Sequence, residues 1–308
     1  MSDTRYSGAL RLLPPRVREL AAQLGNVGQA EEIRLRVGCP PSVLLSAGEY
    51  NLGGGAVTSS ELDAVVEIAT GASLHSARES VRAGYINAPG GYRLGLCGTA
   101  VANGGAVSGF RGLSSIALRI PREVNGIGET VAMACGGGLT STLIISPPGL
   151  GKTTLLRDLV KIASDGSEKC GLSPARVALA DERGELAAVT NGMAQMYVGR
   201  RTDVMSGCPK AAAVMMLLRV MNPEIIALDE ITDPEDIKAI ERAANCGVRI
   251  FATVHAGSVA ELHQKPLFER LLETRVFETI VTIRREGGVR KYDVSVPMSA
   301  PAAELTHD

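Results

Sequence analysis

The sequence has no tryptophan, and aromatic residues make up only 3% of its 308 positions. Without a stripe of interleaved basic and aromatic residues, there is little on which single-stranded bases could stack. Nor is there an excess of charge of either sign: 32 Lys and Arg stand against 33 Asp and Glu, for a formal net charge of −1. That balance argues against wholesale binding to a polyanion, so nucleic acid ranks last among possible partners. No stretch stays apolar for the ~18 residues that a membrane span needs, and Met1 to Leu10 carries no signal-peptide core. The six cysteines (Cys39, Cys97, Cys135, Cys170, Cys208 and Cys246) include no C-x-x-C pair and no histidine at metal-ligand spacing. They read as free thiols of a reducing cytoplasm. The expected location is cytoplasmic, beside a membrane rather than within it.

What is present is a core-forming composition, 45% hydrophobic, and one stretch around which the chain is organised. Thr142 to Ile145 is a β-branched and apolar run suited to a buried strand. Ser146 to Gly151 is a Pro and Gly loop, and Leu155, Leu156, Leu159 and Val160 then fall at helical spacing. The loop fits the phosphate-cradling pattern G-x-x-x-x-G-K-[ST] at Gly151, Lys152 and Thr153, with Ser146 in place of the first glycine. Ser146, Pro147, Pro148, Gly149, Leu150, Gly151, Lys152, Thr153 and Thr154 are therefore the candidate nucleotide-binding residues. Gly149 and Gly151 allow torsions that turn successive N–H groups onto a phosphate at the positive end of the helix. Lys152 would reach the β- and γ-phosphates of ATP, and the Thr153 hydroxyl would ligate Mg²⁺.

Residues 1–122 read as an α+β domain. Helices are expected over Pro15 to Leu24 and after the capping box Thr58-Ser59-Ser60-Glu61, with a second short helix running through Ser80. Glu32 to Val37 alternates as a half-buried strand, and Ser42 to Leu45 can pair with it. Tyr85-Ile86, Tyr92 to Cys97, Ala100 to Val107 and Ile116 to Ile120 read as short runs punctuated by glycine. Gly91-x-Arg93-x-Gly95-x-x-Gly98 resembles a dinucleotide fingerprint, but no helix follows it, and a Gly-rich hairpin is the simpler reading. His75 reads as a polar residue near a helix start. Arg93, Arg111, Arg119 and Arg122 form a group of cations that a ring ATPase could present to a γ-phosphate. Residues 123–298 repeat strand, helix, strand, and 299–308 read as a disordered tail.

Three polar clusters close three expected parallel strands, at the edge where open α/β sheets bind ligands. Arg176 to Ala180 ends at Asp181-Glu182-Arg183, Glu224 to Leu228 at Asp229-Glu230, and Arg249 to Val254 at His255. Asp229 would hold Mg²⁺ and Glu230 would polarise the attacking water. Glu182 is a candidate for a further water-orienting or metal-shell acid, and His255 for sensing the γ-phosphate. Arg201, in Arg200-Arg201-Thr202-Asp203, offers a guanidinium to phosphate or to a neighbouring subunit, although a surface loop is the plainer reading. Met215, Met216 and Met221 read as core packing on a helix.

With these pieces in order, the sequence resembles the stage III sporulation protein AA family. The residues that carry the likeness are Ser146 to Leu156, Asp181 to Glu185, Gly199 to Val204, Cys208-Pro209-Lys210, Asn222 to Glu230 and Thr253 to Ser258. More distantly it resembles the hexameric ATPases of type II and type IV secretion and of pilus retraction. The resemblance implies a RecA-like α/β ATPase core with a smaller α+β amino-terminal domain and a homohexamer, with arginines from that domain or a neighbour completing the site. It also implies docking at the cytoplasmic face of a membrane on integral-membrane components of a secretion apparatus. Ser146 for glycine, and Gly184 where the family usually has serine, are departures from its pattern. Two other readings compete with a Mg²⁺-dependent ATPase motor. One is a nucleotide-stabilised platform with little turnover, which has no need of Glu230; the other is a RecA-like nucleic-acid motor.

Overall fold

The computed structural model describes residues 2–25, 30–45, 48–71, 81–82, 84–103, 106–121, 126–135, 138–190, 192–286 and 289–295. His75, the short helix through Ser80, Arg122 and the tail 299–308 lie outside the described residues. The chain divides into two units, Met1–Glu123 with Ala188–Met196, and Val124–Ala187 with Tyr197–Asp308. The segment 188–196, read from sequence as part of the second domain, packs in the first unit instead. There the Gln195 side-chain oxygen accepts from the Gly90 N–H at 3.1 Å, and the Gln195 carbonyl accepts from Arg5 at 3.4 Å.

The first unit holds α1 (Ser2–Leu10), α2 (Pro15–Ala22), β1 (Ala30–Arg36), β2 (Ser42–Leu45), β3 (Gly48–Asn51), α3 (Ser59–Thr70), β4 (Tyr85–Ala88), β5 (Tyr92–Asn103) and β6 (Ala106–Arg119). Its six strands pair antiparallel in the order β3-β2-β1-β6-β5-β4. Ile33, Leu35, Val43, Leu94 and Leu118 form one buried face that joins Val17 of α2 and Leu62 and Val65 of α3 in a single core. The α3 capping box is complete, with Thr58 accepting from the Glu61 N–H and the Glu61 carboxylate from the Thr58 N–H. Where the sequence suggested short separate runs, there is one long hairpin. Its glycines mark bulges and not breaks, with register shifts at Cys97/Gly98, Thr99/Ala100 and Val101/Ala102. A Cβ on Gly98 would collide with the Gly112 carbonyl, which is why that crossing needs glycine.

The second unit holds α4 (Ile127–Ala134), β7 (Thr142–Ser146), α5 (Lys152–Asp165), β8 (Val177–Asp181), β9 (Thr202–Ser206), α6 (Lys210–Val220), β10 (Ile225–Leu228) and α7 (Pro234–Asn245). β11 (Arg249–His255), α8 (Val259–Gln264), α9 (Pro266–Glu273), β12 (Thr279–Glu286) and β13 (Val289–Ser295) complete it. The seven strands run β13-β12-β7-β11-β10-β8-β9, all parallel except the edge strand β13. β7, β8 and β10 are buried at every position, as strands covered on both faces must be. Leu143, Ile145, Ile226, Leu228 and Val254 pack in one core with Val214 and Leu217 of α6 and Ile237 and Ile240 of α7. Met216 corrects the core assignment of the α6 methionines. The helix buries Ala213, Val214 and Leu217, so Met216 falls on the outer face, 52% exposed.

Candidate active site

The phosphate loop takes the torsions its glycines were expected to supply, with φ of +78° at Gly149 and +99° at Gly151. Ser146, the residue in place of glycine, ends β7 fully buried and outside the left-handed region, so that position does not require glycine. Its carbonyl accepts from Lys152 Nζ at 2.9 Å and the Pro147 carbonyl accepts from the same ammonium at 3.2 Å. Gly151 opens α5, and no acid lies in that helix's first turn, leaving the positive end of the helix uncancelled by its own side chains.

The strand ends bring the rest together. Thr153 Oγ1 donates to Asp229 Oδ2 at 2.7 Å, and Thr253 Oγ1 donates to Asp229 Oδ1 at 2.5 Å. The same Thr253 oxygen accepts from the Glu230 N–H at 2.8 Å, so one hydroxyl fixes both acids. The parallel register that pairs Leu228 with Ala252 puts Thr253 level with Asp229. Glu230 has φ of +54°, a conformation costly for a residue with a Cβ and one that tends to persist where a site depends on it.

From Glu230 a chain of polar contacts returns to the loop. Glu230 Oε2 accepts from Arg183 at 2.9 Å, Oε1 lies 3.2 Å from His255 Nε2, and His255 Nδ1 lies 2.8 Å from Lys152 Nζ. An ammonium only donates, so Nδ1 accepts and the ring proton sits on Nε2, facing the carboxylate. Burial pushes the Lys152 ammonium below the ordinary lysine value, while Asp229 and Glu230 pull it back up.

The acidic box divides its labour. Asp181 is buried and its carboxylate accepts from the backbone N–H groups of Glu185, Leu186 and Ala187, so it shapes the loop. Glu182 accepts from Lys210 Nζ at 2.8 Å, and this buried ammonium lies 3.7 Å from Asp236. Asp181, Glu182, Arg183, Lys210, Asp229 and Glu230 line one cleft.

Arg201 is not brought to this cluster. It precedes β9, whose direction is that of β8, and so stands at the opposite end of the sheet, its guanidinium donating to the Pro174 carbonyl at 3.4 Å. It cannot serve its own chain's site from there. Thr253, Arg183 and Lys210 were missed as site residues. Thr253 looks like any β-branched strand residue until the register of β10 and β11 is known, and Arg183 and Lys210 lie 47 and 20 positions from Glu230.

Among the described residues, no group of three or more His, Cys, Asp or Glu could hold a metal ion unaided. The converging Thr153 hydroxyl and Asp229 carboxylate nevertheless fit Mg²⁺, which binds through one or two protein oxygens and takes the remainder from phosphate and water.

The fold is that of secretion ATPases. The pilus retraction motor PilT with bound ADP superimposes with a TM-score of 0.62 at 18% identity, covering 92% of this chain and 83% of that one. The DotB ATPase of Legionella pneumophila superimposes at 0.58 with 16% identity, over 87% and 77%. In sequence, competence protein ComGA of Streptococcus pneumoniae is 27% identical over 146 residues, 47% of this chain and 40% of that protein. Stage III sporulation protein AA of Bacillus subtilis is 34% identical over 261 residues, 84% of each chain. The model for sporulation stage III, protein AA matches residues 4–293, and with it the likeness read from the loop and strand-end motifs becomes a membership: the chain belongs to the stage III sporulation protein AA family.

Proposed function

We propose that this chain is a Mg²⁺-dependent ATP hydrolase working as a homohexameric motor. The observation that carries the reading is the closed set of contacts joining the phosphate loop to the strand ends, Lys152 to His255 to Glu230 and Thr153 to Asp229 to Thr253. Residues 146–154 hold the phosphates, with Lys152 on the β- and γ-oxygens. Mg²⁺, held by Thr153 and Asp229, would neutralise charge developing on the phosphates. Glu230 polarises a water whose oxygen attacks the γ-phosphorus as the bond to the bridging oxygen breaks and ADP leaves. Arg183 and His255 aim the Glu230 carboxylate, and His255 couples it to Lys152, so that drawing Lys152 onto a γ-phosphate frees His255 to respond. Glu182, held by Lys210, supplies a second acid at the cleft wall.

The ring would be completed by arginines from a neighbouring copy, and Arg201, unable to reach its own site, is free to take that part. The motor would dock from the cytoplasm on integral-membrane components of a sporulation secretion apparatus. No helix among the described residues is long and apolar enough to cross a membrane. A platform that binds ATP with little turnover is the second reading, and the strained Glu230 weighs against it. ATP turnover measured against protein concentration, with mass determined on the same samples, tests the proposal. Turnover per chain should rise as hexamers form; turnover that ignores assembly, or assembly without turnover, would remove the motor.

A further inference from the structure

The β12–β13 hairpin reaches past the end of the strand that carries the phosphate loop. β12 runs parallel to β7 up to the pair Thr282 and Ile145, then continues through Ile283, Arg284 and Arg285 with only β13 beside it. Arg290 lies opposite Arg285, three residues beyond that last pair and so about 10 Å further along the strand direction at ~3.3 Å per residue. The hairpin thereby hangs over the loop. A Cβ built on Gly151 would lie 3.8 Å from both Cζ and Nε of Arg290, and 4.0 Å from the Thr154 Cβ.

The charges around Arg290 point the same way. On its hairpin, Arg284 pairs with Asp293 at 3.2 Å and Lys291 with Glu286. Among the described residues, no carboxylate pairs with Arg290. A guanidinium rests against the positive end of α5, near a second cation, Lys152, in a place that attracts an anion and repels either cation alone.

Position along α5 tells which part of the anion. Thr153 faces Asp229 and the hydrolytic cluster, so Thr154, about 100° further round the helix, faces away from it. Arg290 flanks Gly151 on the Thr154 side. We infer that Arg290 binds nucleotide in cis, its planar fork taking the α-phosphate at the outer flank of the loop, the phosphate that is not transferred. This deepens the nucleotide reading of the same loop and rests on it. A contact of this kind is made equally in substrate and transition state, and so acts on affinity and not on the chemical step.

The test is binding of ADP and GDP by calorimetry, and ATP turnover, for the wild-type protein, Arg290→Ala and Arg290→Lys. The melting midpoint without nucleotide serves as the folding control. Arg290→Ala should raise the Kd for both diphosphates by about tenfold, the scale of one hydrogen-bonded charge contact. It should raise KM for ATP in parallel and leave kcat in place, and Arg290→Lys should recover part of the loss because a point charge replaces a fork. If wild type binds ADP and Arg290→Ala binds it equally well, this inference falls while the nucleotide site stands. A penalty that differs between ADP and GDP places Arg290 on the base and overturns the phosphate assignment. If wild type binds neither diphosphate, the reading of the loop falls and takes this one with it.

Discussion

At the amino-terminal end of the seven-stranded sheet, arginines are tied to backbone carbonyls; at the carboxyl end, charged side chains are tied to one another. Arg176 donates to Asn222 at 2.8 Å and Arg249 to Leu139 at 3.0 Å. Both contacts join a strand start to a loop carbonyl, and Arg176 adds only an exposed ion pair with Glu224 at 3.5 Å, on the same edge and away from the phosphate loop. At the other end, Lys152, His255, Glu230 and Arg183 share their contacts in sequence, and every member could trade its partner for a phosphate oxygen or a water. One end therefore stitches the sheet and the other holds groups that can be redirected. Two arginines of the same sheet can have different consequences when lost, and their exposure alone would not reveal it.

Substitutions at the two ends should separate accordingly. Lys152→Ala should have the largest effect, lowering ATP turnover by roughly 10³-fold or more, because in the proposed site it removes the charge that would meet the transferred phosphate. Its melting midpoint should hold or rise, since the variant no longer buries an ammonium. Thr253→Val keeps the β-branched shape in β11 but deletes the hydroxyl that fixes Asp229 and the Glu230 N–H. Steady-state kinetics should show kcat reduced by about 10- to 100-fold, the usual cost of losing a group that orients the residues in contact with substrate. Arg249→Ala should do least to turnover and instead lower unfolding free energy by about 1 kcal/mol, the worth of one hydrogen bond. Denaturant melts beside activity assays would decide it, and a large loss of kcat with unchanged stability would erase the distinction between the two ends.

Much of this was legible in the chain because the loop and the strand-end acids lie in local motifs. Ser146 to Thr154 states its own strand, turn and helix, and a buried apolar run ending in Asp229-Glu230 places the acids at a sheet edge without any tertiary knowledge. What stayed hidden depends on register. Thr253 becomes a bridge only through the pairing of β10 with β11, and Arg201 leaves the site only because β9 runs parallel to β8 and begins at the far edge. The long β5–β6 hairpin was hidden differently: glycines that usually end strands were absorbed as bulges. Arg290 had a signal that could have been used, since Thr279 to Ile283 is an uninterrupted β-branched run that calls for a strand next to the core.

In the proposed function, the carboxyl end of the sheet hydrolyses the nucleotide that the loop binds. Glu230→Gln tests it most directly, because the change keeps shape and leaves the loop, Thr153 and Asp229 untouched. ATP binding and single-turnover hydrolysis should be measured on the same preparation. Affinity should stay close to wild type, with hydrolysis slowed by roughly 10²- to 10³-fold. Hydrolysis at the wild-type rate in Glu230→Gln would contradict the proposed function.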